Sequence, residues 1–510
     1  MGFGPKHRKK VWYTAALGGI AGITGLTTMG VMTGMTPVSS HGQDKDRQAT
    51  AERTLARPVM DGGVNDAVEI GCEPDELIQA ILDVNDGGGT IKLAADCTYS
   101  LTAYEASDNG FVGLPEIEDD VKIKGQNSTI EREVSADPFR IFEVEEGGHL
   151  TLKGVAVKYG DAQNGMSSKS GDGGGLLVEE GGKATLAHST FANNRADDDG
   201  GAIANYGLTK FFGSDLVGKD GVTEDSLPGP SDGKDGATED SWTEPSDGKD
   251  GATEDSWTEP SGGKDGAKSS SGDIHDNHAD DDGGGIYVGD GALIVENARL
   301  SYNTANDQGG AVYNNSFVKL TKTEVDHNFA HNSGGGLAND YIAKVEDSYL
   351  HNNTSGNGTG GGIWNNYQLY LWHTKVSRNT AYGSGGGIYN ANGPSTWLTA
   401  KDSRIEENTT TSGNGGGIYN DRGEVALGDS QVNLNKAVGA ASQAGGIYNS
   451  NGFVRLSDTE VNENTATNAP GGVYTTNMVE RVELFGDSEI IKNRPTNCEG
   501  SPGEIEGCFG

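Results

Sequence analysis

Positive charge is scarce in this sequence. The 510 residues contain 38 lysines and arginines against 75 aspartates and glutamates, which gives a formal net charge of −37 at pH 7. A body this acidic repels nucleic acid, anionic lipid and anionic polysaccharide, because like charges oppose the approach of such partners. We therefore expect no nucleic-acid partner.

Cysteine is also scarce, and its placement is informative. The four cysteines Cys72, Cys97, Cys498 and Cys508 lie only near the two ends of the repetitive region described below, and none forms C-x-x-C. This spacing does not match a zinc site. An even number of cysteines in two local pairs predicts two disulfides, Cys72 with Cys97 and Cys498 with Cys508, in an oxidising outer compartment.

A long uncharged segment rich in apolar residues stands at the amino terminus. Four basic residues at positions 6–10 precede a run from Val11 to Ser40 without any charge. This pattern predicts a signal peptide over residues 1–40, followed by a polar linker over 41–70. A retained membrane anchor is the alternative. With cleavage, we expect a secreted, extracellular protein that has no contact with the membrane.

Common catalytic signatures are missing as well. The sequence contains no Walker or zinc motif. The six histidines at positions 275, 278, 327, 331, 351 and 373 do not align in one column of the repeat, and we expect them to be solvated in turns.

Glycine is abundant, and it marks an internal repeat. A short glycine run is followed by an aliphatic residue ten times, at intervals of 25 to 30 residues apart from one interval of 83. These aliphatic residues are Leu176, Ile203, Ile286, Val312, Leu337, Ile363, Ile388, Ile418, Ile447 and Val473. A unit of this length cannot bury its apolar face alone and must stack on its neighbours. The repeat therefore predicts a solenoid.

Two further apolar columns indicate strands. One contains Leu186, Val295, Leu320, Val345, Leu371, Ala400, Leu427, Leu456 and Phe485. The other contains Phe191, Ile274, Leu300, Val325, Leu350, Val376, Ile405, Val432, Val461 and Ile490. Alternating apolar residues in runs of three to five indicate short strands. Three strands per coil in three parallel sheets predict an all-β fold, a single right-handed parallel β-helix of about 11 to 13 coils.

An asparagine stands three residues after each member of the last column. These asparagines are Asn194, Asn277, Asn303, Asn328, Asn353, Asn379, Asn408, Asn435, Asn464 and Asn493. Asparagine tolerates left-handed backbone angles, which predicts a sharp corner at this position. Amides stacked at about 4.8 Å also bond to one another along the column.

The paired signature G-G-[GA]-[ILV] and [ILVF]-x-x-N resembles the repeats of polymorphic outer membrane proteins and of secreted bacterial right-handed β-helix proteins of the pectin-lyase-like superfold. The resemblance covers Thr90 to Asn493. It implies the β-helix fold, and the polymorphic membrane family implies adhesion or surface display. The superfold also includes pectate lyases and polygalacturonases, but the N-T-D, D-D, H-G and R-I-K set of a polygalacturonase does not occur on consecutive coils.

The β-helix is expected to span residues 71–510, with a cap at each end. Leu77, Ala80, Ile81 and Val84 share one face of a short helix, which predicts an amino-terminal cap over residues 71–97. Residues 494–510 are predicted to form a disulfide-stapled carboxy-terminal cap. The long interval contains an acidic 15-residue repeat, GKDGATEDSWTEPSD, which predicts a disordered insertion over residues 218–272.

An aromatic residue follows many of the post-glycine aliphatic residues. This column contains Tyr287, Tyr313, Trp364, Tyr389, Tyr419, Tyr448 and Tyr474. If the aliphatic residue points inward, strand alternation points the aromatic residue outward. The column is interpreted either as a ladder that stabilises the sheet or as a ligand platform for neutral sugar rings.

Aspartates recur just before the glycine runs, and we call them the acidic ledge: Asp172, Asp198, Asp199, Asp281, Asp282 and Asp307. Stacked carboxylates repel one another, so a bound cation would stabilise them. Calcium is the expected cofactor, because it accepts six to eight oxygen ligands and is abundant outside cells. A solvated acidic edge and a paired-carboxylate hydrolase are the two alternatives.

Together these patterns favour a secreted, monomeric, non-enzymatic surface or matrix protein that binds glycans or cell-surface proteins. The alternative is a polysaccharide lyase or glycoside hydrolase.

Overall fold

The structure is a computed structural model that describes residues 67–165, 167–213, 272–391, 393–476 and 481–510. The predicted signal peptide, the linker up to residue 66 and the predicted insertion up to residue 271 lie outside the described residues. The chain divides into two units, Met1–Gly62 and Gly63–Gly510. All described residues belong to the second unit.

The described residues form an all-β parallel solenoid of about 13 turns, with one α-helix. That helix, Pro74–Val84, buries Leu77, Ala80, Ile81 and Val84, which confirms the predicted face. Acidic residues in its first turn favour the helix dipole. None of the helical residues described here belongs to a segment long and apolar enough to cross a membrane.

Each regular coil contributes four strands to three parallel sheets. Sheet 1 follows the glycine run, and its strands are Phe142–Val144, Leu176–Val178, Ile203–Asn205, Ile286–Val288, Val312–Asn314, Leu337–Asn339, Ile363–Asn365, Ile388–Asn390, Ile418–Asp421, Ile447–Ser450 and Val473–Thr475. Sheet 3 consists of two-residue strands at Asp161–Ala162, Arg195–Ala196, His278–Ala279, Thr304–Ala305, Phe329–Ala330, Thr354–Ser355, Thr380–Ala381, Thr409–Thr410, Lys436–Ala437 and Thr465–Ala466.

Sheet 2 lies between the other two and has a long and a short column of strands. The long column contains Val68–Glu69, Gly89–Lys92, Lys183–Ala187, Leu208–Phe212, Ala292–Glu296, Phe317–Thr321, Ile342–Glu346, Gln368–Trp372, Trp397–Lys401, Glu424–Gly428, Phe453–Ser457 and Val482–Phe485. The short column contains Thr98–Leu101, Thr190–Ala192, Asp273–His275, Arg299–Ser301, Glu324–Asp326, Tyr349–His351, Lys375–Ser377, Arg404–Glu406, Gln431–Asn433, Glu460–Asn462 and Glu489–Ile491. Asp120–Arg132 and His149–Lys158 run through both columns. A small antiparallel hairpin, Glu105–Ser107 with Gly110–Val112, stands apart.

The expectation of three strands per coil was wrong, because sheet 3 supplies a fourth. Its strands begin directly after the asparagine column and bury a small residue such as Ala305. The glycine turn of the neighbouring coil explains why the buried residue of each sheet 3 strand is small. A Cβ on Gly335 would lie 2.5 Å from the carbonyl carbon of Thr354, in a sheet 3 strand. Larger side chains would separate these closely packed backbones.

The apolar columns are buried as predicted, with one exception. All ten residues that follow the glycine runs are fully buried. In the last coil, however, Leu484 pairs in register with Leu456, and Phe485 points outward with 50% of its surface exposed. The assignment of Phe485 to the core was therefore wrong by one residue.

The asparagine column forms the predicted amide ladder. From Asn194 to Asn464, each side-chain Nδ2 donates to Oδ1 of the next asparagine at 2.9–3.1 Å. Each Oδ1 also accepts from a backbone N–H of the preceding coil, as in the bond from Asn379 to Asn408 at 3.0 Å. The amides are almost completely buried, so these hydrogen bonds satisfy groups that water cannot reach.

The left-handed residue at this corner is not the asparagine itself, contrary to expectation. The residue before it has the positive φ, for example Leu434 at 57° and Arg378 at 56°. The asparagine is selected for its hydrogen bonds and not for its backbone angles. A second left-handed position begins the glycine turn, as at Gly334 with φ of 68°.

Both predicted disulfides are present, Cys72–Cys97 and Cys498–Cys508. The first joins the segment before the cap helix to the segment after the strand Gly89–Lys92. The second closes the end of the chain next to the last coil. These disulfides confirm the pairing predicted from the sequence.

We predict that Asn435→Ala lowers the free energy of unfolding by at least about 2 kcal/mol, because it removes four buried hydrogen bonds. The control is Leu434→Gly, next to it in the sequence. Glycine adopts the left-handed angle without strain, so this change should alter stability by less than about 1 kcal/mol. Denaturant unfolding measures both variants. A larger loss for Leu434→Gly than for Asn435→Ala would contradict the ladder as the main stabiliser of the corner.

Candidate functional site

The outward position of sheet 1 carries the predicted aromatic column. Tyr287, Tyr313, Trp364, Tyr389, Tyr419, Tyr448 and Tyr474 all occupy it and are all partly buried. Four neighbouring tyrosine pairs have ring centroids 4.6–5.5 Å apart and planes within 10° of parallel. Ring faces therefore contact each other, and burial raises the pKa of Tyr389, of Tyr419 and, to about 12, of Tyr448.

The column is not continuous. Buried Ala338 stands between Tyr313 and Trp364. Towards the amino terminus, Tyr206 extends the column from the turn beside it, with its ring 5.9 Å from that of Tyr287. The spacing of the glycine repeat does not place Tyr206 in the column, so sequence reasoning missed it.

The acidic ledge contains a ladder of carboxylates. Asp172 Oδ1 accepts the backbone N–H of Asp199 at 3.2 Å, and Asp199 Oδ1 accepts that of Asp282 at 3.1 Å. Asp282 in turn accepts the backbone N–H of Gln308 at 2.9 Å. These three aspartates therefore hold the loops of successive coils together, a structural role that the sequence pattern did not reveal.

Stacking and burial make these carboxylates difficult to ionise. Burial, followed by repulsion from Asp172 and Asp282, raises the pKa of Asp199 to about 9. Burial and the neighbouring Asp281 and Asp307 raise the pKa of Asp282 to about 8. Burial also raises the pKa of Asp172, to about 6, although its hydrogen bond from Tyr206 opposes the shift.

Five of the six ledge residues form two overlapping triads. Asp198, Asp199 and Asp281 offer carboxylate oxygens within 4.8 Å of one another, and so do Asp281, Asp282 and Asp307. Asp172 is in neither triad. Three oxygen ligands at such short spacing suit a hard cation such as calcium, which tolerates irregular geometry.

The aromatic column and the acidic ledge are neighbours. The Tyr206 hydroxyl donates to Asp172 at 2.6 Å. The pKa of Tyr287 is raised by burial and then by Asp199, Asp172 and Asp282. The Tyr313 hydroxyl donates to Asp340 in the turn that follows sheet 1. We call the combined surface the tyrosine–aspartate face. Its two parts were predicted from the sequence, but their contact was not.

A cluster on the short column of sheet 2 was not anticipated. Asp326 is fully buried and accepts two hydrogen bonds from Arg299, at 2.8 and 2.7 Å. His351, only 8% exposed, bonds Glu324 at 2.9 Å. The expectation that His351 is solvated was therefore wrong. Because the cluster already pairs its carboxylates with Arg299 and His351, it is a structural network.

A second unanticipated network lies at the start of sheet 1. Arg140 and Glu143 form a fully buried ion pair at 3.0 Å. Ser107 and Asn109 of the hairpin also bond Glu143. The hairpin thereby covers the first coils of this face. Burial and then Glu143 raise the pKa of the adjacent Glu145 to about 7.

Comparison with known proteins agrees with the repeat. The Chlamydia polymorphic membrane protein repeat model matches residues 188–206. That segment contains Phe191, Asn194, a glycine turn and Ile203, the paired signature of one coil. In this segment the chain is similar to the repeat of the Chlamydia polymorphic membrane proteins, and its parallel β-solenoid fits a β-helix repeat protein of that kind. A comparison with curated proteins finds no match. The repeat and the fold suggest a surface protein of the outer-membrane type.

The raised pKa values predict a pH dependence with a definite sign. Between the ordinary value of 3.8 and about 8 to 9, Asp199 and Asp282 stay protonated in the folded chain but ionise when it unfolds. The folded state then binds more protons, so their contribution to stability falls as pH rises through this window.

We therefore predict that Asp199→Asn with Asp282→Asn gains melting temperature relative to wild type as the pH rises from 5 to 9, in chelator. Asparagine keeps the Oδ1 acceptor but cannot ionise. The matched control is Asp86→Asn with Asp137→Asn, two exposed aspartates elsewhere. A difference between the ledge variant and wild type that does not change with pH would contradict the prediction.

Proposed function

We propose that the protein is a non-enzymatic binding protein of a cell surface or extracellular matrix, and that it binds glycans on the tyrosine–aspartate face. The observation that carries this proposal is the contact between the two columns. Tyr206 and Tyr287 lie beside the ledge aspartates Asp172, Asp199 and Asp282, and the stacked tyrosines continue along sheet 1 at the coil spacing, about 4.8 Å. A linear partner with hydroxyl groups meets equivalent hydrogen-bonding groups on successive coils.

The geometry favours hydrogen bonding over ring stacking. Tyr389, Tyr419 and Tyr448 stack on each other with centroids 5.0 Å apart, so most of their ring faces are occupied. The Tyr419 hydroxyl shares a hydrogen bond with the Ser450 side chain, and the Tyr448 hydroxyl shares one with Tyr474. A sugar chain along these rings would accept from and donate to phenol groups, and each such bond contributes about 0.5–1.5 kcal/mol.

Repetition also supports binding over catalysis. An enzyme concentrates different groups at one point, whereas this face repeats the same groups along the stack. The enzymatic alternative, a polysaccharide lyase or hydrolase, remains an outcome of the test below.

The test is a glycan array followed by a reducing-sugar assay on every glycan that binds. We expect binding without release of reducing ends. Tyr419→Phe with Tyr448→Phe should weaken binding about tenfold, since two hydrogen bonds are lost while the rings still stack. The matched control is Tyr341→Phe with Tyr367→Phe, a stacked pair outside the column with centroids 5.1 Å apart.

Equal losses in the two double variants would show that the column is only a structural ladder. Release of reducing ends would favour the enzymatic alternative. Absence of binding to any glycan would direct attention to protein partners.

We further propose that the acidic ledge binds calcium. The two aspartate triads supply oxygen ligands, and burial together with repulsion from neighbouring aspartates raises the pKa of Asp199 and Asp282, an effect that a cation would oppose. Metal binding also favours the ionised carboxylates, so calcium should displace their protons.

We predict that millimolar calcium raises the melting temperature at pH 7.5 relative to chelator. Binding to the folded state alone contributes about 2.7 kcal/mol at a hundredfold excess over Kd. Asp199→Asn with Asp282→Asn should abolish the shift, whereas Asp86→Asn with Asp137→Asn should keep it. If calcium does not move the wild-type melt, or moves the ledge variant equally, the ledge is a solvated acidic edge.

A further inference from the structure

Basic side chains are concentrated on one surface of this acidic protein. The outer side of the long column of sheet 2, in its first coils, carries six lysines. We call this surface the lysine face: Lys92, Lys122, Lys124, Lys153, Lys183 and Lys210. The chain as a whole has a net charge of −37. Charge is therefore segregated between the surfaces of the solenoid.

Strand register stacks several of these lysines directly on each other. Lys92 pairs with Lys124, and Lys124 pairs with Lys153, so three ammonium groups rise in one row at about 4.8 Å per coil. Two acids lie beside them: Glu69 bonds Lys92 at 2.7 Å, and Asp120 pairs with Lys122. Positive charge remains in excess on these strands.

His149 lies on the same surface, in register with Lys183 and Asp120. Burial lowers the pKa of its imidazole, Asp120 opposes this shift, and Lys122, Lys183 and Lys210 add to it. Three lysines therefore lie within electrostatic range of one point of the surface.

A concave groove borders the lysine face. It has a volume of about 390 Å³ and is lined by polar backbone and side-chain groups around Ser128 and Thr129, and by Lys158, His188 and His275. The bulge between Lys124 and Ser128 opens it. The flat lysine row therefore continues into a recess with further nitrogen donors.

Aromatic side chains occupy the same outer surface further along the stack. Trp397 is 44% exposed. Lys401 lies over the ring of Trp372 at 5.0 Å, and Lys344 lies over that of Tyr370 at 6.0 Å. A chain that follows the lysine face along the axis would meet apolar rings next to cations.

We propose that the lysine face binds a linear anionic polysaccharide, one that carries carboxylate or sulfate groups along its length. This site is separate from the tyrosine–aspartate face and does not depend on it. Lysine ammonium groups bind the acidic substituents, and the aromatic rings beyond them contact the sugar rings.

Charge density favours a polysaccharide over nucleic acid or a bilayer. The surface is about five residues wide, roughly 17 Å, and it is bordered by an acidic protein. Exposed charges act over a Debye length of about 8 to 10 Å, so a partner much wider than the strip comes within range of the acidic residues that border it. A duplex or a bilayer extends past the strip, whereas a single glycan chain remains on it.

The experiment measures binding of full-length protein to three oligosaccharides, in 50 mM salt: a heparin hexasaccharide, a galacturonate hexamer and uncharged maltohexaose. The first two distinguish sulfate from carboxylate as the recognised group. We expect at least one anionic oligosaccharide to bind at least tenfold tighter than maltohexaose, and its affinity to fall as salt rises. Lys183→Glu with Lys210→Glu should weaken it at least tenfold, and Lys183→Gln with Lys210→Gln should weaken it less.

The matched control is Lys436→Glu with Lys492→Glu, which changes the net charge equally but lies away from the lysine face. It should change the affinity less than twofold. Failure of both anionic oligosaccharides to bind, or equal losses in the two charge-reversed variants, would overturn the proposal.

Three further results would also overturn it. Tighter binding of a twenty-nucleotide single strand would assign the surface to nucleic acid, and tighter binding of phosphatidylglycerol vesicles would assign it to lipid. If glycan bound only after deletion of residues 218–271, that acidic segment, and not a glycan, would be the occupant of the lysine face. The Tyr419→Phe, Tyr448→Phe variant should bind the anionic oligosaccharide normally, which keeps this result distinct from the test of the tyrosine–aspartate face.

Discussion

Parallel stacking places each side chain directly on its own equivalent in the next coil. Whether a column stabilises the fold depends on whether the group can bond to a copy of itself. An amide can, because it both donates and accepts, and the asparagines from Asn194 to Asn493 form a buried ladder. A carboxylate cannot when ionised, and burial, together with repulsion from Asp172 and Asp282 on the neighbouring coils, raises the pKa of Asp199 to about 9. One geometric constraint thus produces a column that satisfies its own hydrogen bonds and a column whose carboxyl groups resist ionisation.

The candidate sites lie on columns other than the amide ladders. Tyrosines stack through their ring faces, as Tyr419 and Tyr448 do. Aspartates accept backbone N–H groups through one oxygen, while oxygens of the two triads come within 4.8 Å of one another. Lysines such as Lys124 and Lys153 repeat a positive charge. Each of these columns repeats a single chemical group along one direction, and a repeating polymer or an array of cations matches that pattern.

Much of the fold could be predicted from the sequence, since strand position, coil length and the amide ladder all depend on the repeat itself. The fourth strand was missed because Thr304–Ala305 has only two residues, too short for any alternation to appear. A second amide ladder, in which Asn339 donates to Asn365 at 2.7 Å, was not predicted, although an asparagine recurs at this position in the sheet 1 strands. The register was also predicted wrongly by one residue at the irregular last coil, where Leu484 and not Phe485 pairs with Leu456.

The sites were less predictable, because contacts between columns depend on how the coil bends in space. The sequence placed the tyrosines and the ledge aspartates in separate columns, but it contained no signal that Tyr206 reaches Asp172. The net charge likewise does not say where the charges lie. A total of −37 predicts repulsion of anions only if the charge is spread evenly. In a β-helix, a residue type fixed at one position of the repeat accumulates on one side of the molecule, so a strongly acidic chain presents rows of lysines to any partner that approaches that side.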